Sequence, residues 1–403
     1  MIMENSQKHN EFYRFFPYCT PGQNMVVTFY CLKCYYHIHI VSDFCLLQAP
    51  LRRRIYVSTR PTPLHKRLRF LYGSVFFLSM QNYSKPYLTL DEQVALLKSR
   101  GMVITDVLKA KACLSRVGYY RLSAYWHPFR QSQTVTDPTS GATSLKVLDH
   151  FKANTDFSTV MELYVYDKKL RLLVMDAIER IEIALRTEIA LRLGKQDSHA
   201  HRNQKLLHGN FARRLQSGKP NTAHQDWLNR LDRKFLDSRE EFARHFKTKY
   251  PGQNPPIWIV VEVWDFGTLS HFYGGMRVSD RDGIASLFGA TDGQMLETWL
   301  RCLNDVRNVC AHHARLWNRP IINRLALPSA GVVPDLDHVA SGRSRDRLYS
   351  ALAVMIIMMR LINPTSSWSG RLRDHISSLP SNPNLSLTSA GFPLVWLSEP
   401  LWQ

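Results

Sequence analysis

No stretch of about 18 consecutive apolar residues occurs in the chain, which excludes a membrane-spanning helix as its organising element. The most apolar run, 348–362, is interrupted by Arg360 and reads as a buried helix. Acidic residues are scarce: 33 Asp+Glu stand against 52 Lys+Arg, a formal net charge of +19. That surplus points to an acidic partner, nucleic acid first and a membrane surface second. Cysteine is sparse and odd in number, seven in 403 residues, which argues for reduced thiols and a cytoplasmic setting rather than a disulfide framework. The N-terminus lacks a clean signal peptide, because His37, His39 and Asp43 interrupt its apolar part. There is no Walker loop, no GxSxG elbow and no dinucleotide fingerprint. Strand signals are nearly absent, and no solenoid repeat is visible. With 45% hydrophobic and 21% charged residues, the chain has the composition of a folded globular protein.

Residues 1–79 differ in texture from the rest. They hold Cys19, Cys31, Cys34 and Cys45, and ten Lys+Arg against three acidic residues. No period persists across them. Cys31-Leu-Lys-Cys34 has the spacing of half a zinc site, with His37 and His39 nearby, but a second half is missing. Patterned sequence begins directly after Met80. Met80 is therefore expected to be the biological start, with 1–79 a non-biological or disordered extension.

From there the pattern is helical. Thr89-Leu-Asp-Glu92 is a capping box opening a helix over 90–99. A second helix, about 106–116, ends before Gly118, and an aromatic cluster follows over 118–130. Its rings beside Arg121 and Arg130 suit either base stacking or a local aromatic core. Residues 131–143 read as a surface loop. Apolar residues at spacings of three and four then define a long helix, about 158–193, with Glu182 and Arg186 as an i,i+4 pair. Residues 194–225 read as a mobile polar connection, in which His199, His201 and His208 are expected to be solvated rather than metal-bound. Ser238-Arg-Glu-Glu241 is a second capping box. Further helices are predicted at 279–288, 297–315 and 345–362. The expected class is all-α, a helical domain over 80–380 followed by a C-terminal tail over 381–403.

The stretch 299–319 carries the chemistry. On a helix at about 100° per residue, with Arg307 at zero, Asn308 lies at about 100°, His312 at about 140° and Arg315 at about 80°. His313 falls at about 240°, away from that arc. Histidine exchanges a proton near neutral pH, and arginine holds a phosphate and stabilises developing negative charge. Such a face suits metal-free RNA cleavage through a 2′,3′-cyclic phosphate. Two copies across a dimer interface would supply both acid and base. By residue types alone, a lone helical histidine is more often structural and an arginine on a bundle helix more often solvated, so the pair taken alone is a weak signal.

Several ordered landmarks add specificity. They are Lys85-Pro-Tyr-Leu-Thr89, Gly118-Tyr-Tyr-Arg-Leu-Ser123, Tyr166-Asp-Lys-Lys-Leu-Arg171, Glu179-Arg-Ile-Glu-Ile-Ala-Leu-Arg186, Pro255-Pro-Ile-Trp258, Phe266-Gly-Thr-Leu-Ser270 and 307–319. By these the chain resembles the Abi-like, or abortive-infection, family of bacterial phage-defence proteins of the AbiD/AbiF type. That family is similar to the HEPN superfamily of helical bundles with an Arg-(x)4–6-His motif. The motif maps here onto Arg307 and His312, and His313 also satisfies the spacing. The resemblance implies a HEPN-like bundle, a metal-independent endoribonuclease without cofactor, and a homodimer. It also implies a cognate small structured RNA or protein inhibitor.

Arg307 and His312 are the expected catalytic residues, with Asn308, His313 and Arg315 in support. Arg319, Lys168, Lys169 and Arg171 are expected to track the RNA backbone, and no metal site is expected. The rival reading is a non-catalytic RNA-binding or regulatory module. A membrane-active toxin is a third.

Overall fold

Thr89 starts the first helix as expected: its hydroxyl accepts from the Glu92 amide while the Glu92 carboxylate returns to the Thr89 amide at 2.7 Å. The structure, a computed structural model, describes residues 85–403 apart from 139, 343 and 344, together with three strands in the segment before them. Those strands, β1 (Tyr13–Tyr18), β2 (Met25–Cys31) and β3 (His37–Ser42), form an antiparallel sheet in the order β1-β2-β3, where no period was read in the sequence. The expected start at Met80 and the Cys34 half of the CxxC pair lie outside the described residues.

Residues 85–403 form one unit. It opens with α1 (Leu90–Ser99), α2 (Val107–Val117) and α3 (Tyr119–Trp126). The aromatic cluster is largely core: Tyr125, Trp126 and Phe129 are buried. Residues 131–143 are not a loop. They belong to a hairpin, β4 (Arg130–Thr136) with β5 (Thr143–Phe151). Both faces of the hairpin meet solvent for most of its length, so no apolar alternation marks it. Its base is fixed by Phe151, which is buried edge-on against Trp126 and donates its amide to Arg100.

The mast of the unit is α4 (Phe157–Gly194), 38 residues capped by Asp156. Its buried stripe includes Leu163, Leu170, Val174, Ile178, Ile181, Leu185 and Ile189, the periodicity seen in the sequence. The short α5 (Gly209–Ala212) follows, then α6 (Ala223–Asp237), α7 (Glu241–Lys249) and α8 (Ile257–Val260). After them come α9 (Phe266–Gly274), α10 (Val278–Ala285) and α11 (Gly293–Ala311). The last three helices are α12 (Asp337–Ser341), α13 (Leu348–Ile362) and α14 (Trp368–Ser377). Helix α13, apolar all round, is buried between α4 and α11. The fold is mostly helical. Among the described residues no helix is long and apolar enough to cross a membrane.

Further expectations need correction. The Ser238 capping box does not form, because Ser238 already ends α6 and α7 starts uncapped after Glu240. The tail over 381–403 is packed, with Phe392, Trp396 and Trp402 buried around Tyr349. The connection over 194–225 is likewise folded: Ala200, Leu207, Phe211 and Ala212 are buried. Phe211 lies so close to Gly275 that a Cβ there would meet its ring at 2.2 Å, so only glycine fits.

His201, expected in solvent, is fully buried, with no hydrogen-bond partner for either ring nitrogen among the described residues, and the buried His224 ring meets its carbonyl oxygen at 2.7 Å. Burial, with Arg202 nearby, pushes the His201 imidazole down from 6.5 to about 3. The unfolded chain binds a proton that the folded chain refuses. Stability is therefore full above the unfolded pKa and falls as pH drops from 6.5 towards 3, by at most about 1.4 kcal/mol per pH unit. Urea denaturation at about pH 7 and pH 5 should give a lower midpoint at the acid value. The drop should shrink in His201→Leu, and an unchanged drop would remove His201 as its cause.

Candidate active site

Helix α11 places its residues by a simple rule: Leu303, Val306 and Cys310 fill the core, which leaves Asn304, Arg307 and Asn308 partly exposed on the flank. Asp292 caps its start through the Met295 amide. Its end differs from the sequence expectation. The helix was predicted to run to 315, but it stops at Ala311 with His312 as the C-cap. His313 follows in the left-handed region at φ 56. The His313 amide bonds to the Cys310 carbonyl at 3.0 Å and the Ala314 amide to the Val309 carbonyl at 2.9 Å. This is a Schellman closure with histidine where glycine is usual.

The wheel placed His312 and Arg315 on one face, and the stop undoes that placement. The Arg315 guanidinium turns to α3 and donates to the Ala124 carbonyl at 2.5 Å. His312 and His313 are both exposed. His312 lines a cavity of about 340 Å³ together with Asp305, Asn308, Val309, Ile321 and Arg319. Arg307 lines the neighbouring cleft of about 510 Å³, where α4 contributes Glu179, Glu182 and Arg186. Asn308 joins the two: its Oδ1 accepts from Arg307 Nη1 at 3.3 Å while the residue walls the cavity of His312. In the cleft, burial pushes the Glu182 carboxyl up, and Arg186 and then Arg307 oppose that shift. Arg186 is held by Glu182 at 2.5 Å and by the Trp264 carbonyl at 3.1 Å.

The turn after α11 is held from below by residues that sequence reasoning assigned elsewhere or missed. Asp167, fully buried on α4, accepts from the Trp317 amide at 2.8 Å, the Leu316 amide at 3.1 Å and the Tyr125 hydroxyl at 2.8 Å. It is also ion-paired to Arg171. Arg171 in turn donates to the Ala314 carbonyl at 3.3 Å, and Arg121 donates to the His313 carbonyl at 2.6 Å. Arg171 is therefore a buried brace and is withdrawn from the expected RNA contacts. Lys168 and Lys169 are exposed on α4, and Lys169 lines a separate cavity of about 740 Å³ beside Tyr166 and His375. Arg319 is exposed at the His312 cavity. Among the described residues, no three His, Cys, Asp or Glu side chains are grouped to hold a metal ion. In particular, His199 is tied to Ser198 and the Asn254 carbonyl, apart from any such group.

Residues 112–318 match the family model described as Abi-like protein. The chain belongs to the Abi-like family. The matched region runs from α2 to the braced turn, so it takes in Asp167, Arg171, Glu182 and the whole of 307–317. No curated protein and no solved structure matches this Abi-like chain.

Proposed function

We propose that this Abi-like protein is a metal-independent endoribonuclease of abortive infection, acting against phage by cutting RNA in the infected cell. What carries the reading is Asn308, which bonds Arg307 at the edge of one cleft and walls the cavity lined by the exposed His312 next to it. The resemblance to HEPN proteins supports Arg307 with either His312 or His313, and His312 is preferred because it lines the cavity that Asn308 walls.

In the proposed reaction a ribose 2′-oxygen attacks the adjacent phosphorus, and the bond to the 5′-oxygen breaks. The products are a 2′,3′-cyclic phosphate and a 5′-hydroxyl. His312 of one copy takes the 2′-hydroxyl proton, and His312 of a second copy gives a proton to the leaving oxygen. Arg307 stabilises the charge that builds on the phosphoryl oxygens. Asn308 fixes the guanidinium by accepting its hydrogen bond. Two copies are needed because one imidazole cannot be base and acid in the same transition state. A small structured RNA or a protein inhibitor holds the enzyme off between infections.

The test is cleavage of RNA by the purified chain in EDTA, beside His312→Ala, with the product ends identified. Cyclic phosphate and 5′-hydroxyl ends are expected from the wild type. His312→Ala should be at least about 100-fold slower with the same denaturation midpoint. Strict dependence on Mg²⁺, or cleavage surviving His312→Ala, would overturn the mechanism. Tight RNA binding unaffected by His312→Ala, with no cleavage, would establish the non-catalytic RNA-binding module instead.

A further inference from the structure

The cavity beside His312 is walled mainly by aliphatic side chains, Val309, Leu316, Ile321 and Leu348 among them. Its volume, about 340 Å³, stands at the lower end of small-ligand pockets. Such a space takes one flat ring system and excludes a duplex. Two polar residues among those lining it keep side-chain hydrogen-bonding capacity to spare. Asp305 receives the Asn323 amide at 3.3 Å and the Asn323 side chain at 2.7 Å on the same oxygen, Oδ2. Among the described residues no donor meets its Oδ1. Asn308 has its oxygen committed to Arg307, which leaves its Nδ2 as a donor. The cavity therefore offers one acceptor and one donor between apolar walls. At its mouth stand the exposed imidazole of His312 and the exposed guanidinium of Arg319.

The geometry points to this cavity as the site that selects one unstacked RNA base next to the cleaved bond. A base has apolar faces and a hydrogen-bonding edge, and single-stranded RNA presents both when it is splayed out. The aliphatic walls take the faces. Asp305 accepts from an exocyclic amino or ring N–H group, and Asn308 donates to a ring nitrogen or carbonyl oxygen. Seated so, the nucleotide leaves its ribose and 3′-phosphate at the mouth, where His312 meets the 2′-hydroxyl and Arg319 the phosphate. Asp305 is then a specificity residue. Its placement at the reacting nucleotide rests on the nuclease reading, while the base site itself does not.

The experiment is equilibrium binding of the four ribonucleoside 3′-monophosphates to the full chain by calorimetry, beside cleavage-site mapping on random-sequence RNA. The wild type should bind its best nucleotide about tenfold more tightly than its worst and cut next to the same base. Asp305→Asn, which keeps the shape and the tie to Asn323, should bring the four to near equality. Val309→Phe, which fills the cavity, should weaken all four about tenfold. Equal binding of the four by the wild type, no binding, or the wild-type ranking kept in both variants would overturn the base site. Selective nucleotide binding without cleavage of any RNA would keep the base site and overturn the nuclease. Cleavage with no base preference would do the reverse.

Discussion

Replacing Asp167 by alanine should cost about 3–5 kcal/mol of stability and abolish the activity of the site above it. Few side chains in the chain are asked for as much. One carboxylate with no exposure accepts from two consecutive amides, Leu316 and Trp317, and from Tyr125, and pairs with Arg171. Burial pushes that carboxyl up, while Arg171, the Tyr125 hydroxyl and the two amides work against the shift. Removing it strands the Arg171 charge and two amide donors in the interior at once. Asp167→Asn should lose less, because an amide oxygen still accepts from Leu316 and Trp317. Exchanging Asp167 and Arg171 together for Leu and Met should recover part of the loss, since no unpaired charge is then left behind. Denaturation midpoints of the four proteins decide the matter. A loss below about 1 kcal/mol in Asp167→Ala would mean that the turn is held by other contacts.

The same clamp explains why a strained turn persists at the site. His313 holds a left-handed conformation that glycine would adopt at lower cost. Its carbonyl is gripped by Arg121 from α3, and the next carbonyl by Arg171 from α4. The two helices thus set the height and direction at which His312 leaves α11. Arg315, by bonding back to Ala124, closes the same connection from the other side.

The apolar rhythm of α4 was readable because its stripe continues for ten turns, and the length of that helix came out nearly to the residue. Helix α11 was readable at its core positions but not at its end. Nothing in Cys310-Ala-His-His-Ala314 carries the glycine that usually marks a Schellman closure, so the wheel ran on past Ala311. That carried Arg315 onto a face it does not occupy. Asp167 and Arg171 did leave a trace. They stand four apart, and Asp167 falls in register with Leu163 and Leu170, where an apolar residue is expected. A charge in a buried stripe with its opposite one turn away signals an internal pair, and grouping Arg171 with Lys168 and Lys169 as surface charge missed it. The hairpin over 130–151 hid for another reason: strands exposed on both faces have no alternation to read. The cavity beside His312 draws Ile321 and Leu348 from beyond α11 in sequence, a juxtaposition that only the folded chain displays.

Arg307 separates the two functional readings more sharply than any other residue. It is half-buried, and among the described residues its side chain makes one hydrogen bond, to its neighbour Asn308. Removing it should therefore leave the fold nearly untouched. As the group that stabilises phosphoryl charge in the transition state, Arg307→Ala should lower kcat about 100- to 1,000-fold with a modest change in KM. Arg307→Lys should restore only a small part of that. A lysine keeps the charge but cannot hold two phosphoryl oxygens with one planar fork. Were the chain only an RNA binder, Arg307 would be one phosphate contact among many. Its loss would weaken binding by a small factor and make the slope of log K against log salt shallower by about 0.7, with lysine nearly as good as arginine. Steady-state cleavage and salt-dependent binding on the same three proteins distinguish these outcomes. Glu182 supplies the internal control. Its carboxylate faces Arg307 and Arg186 in the cleft, so Glu182→Gln should shift the pH profile of cleavage while leaving His312 in place. A profile identical to wild type would detach that cleft from the chemistry and leave the His312 side of Asn308 as the whole site.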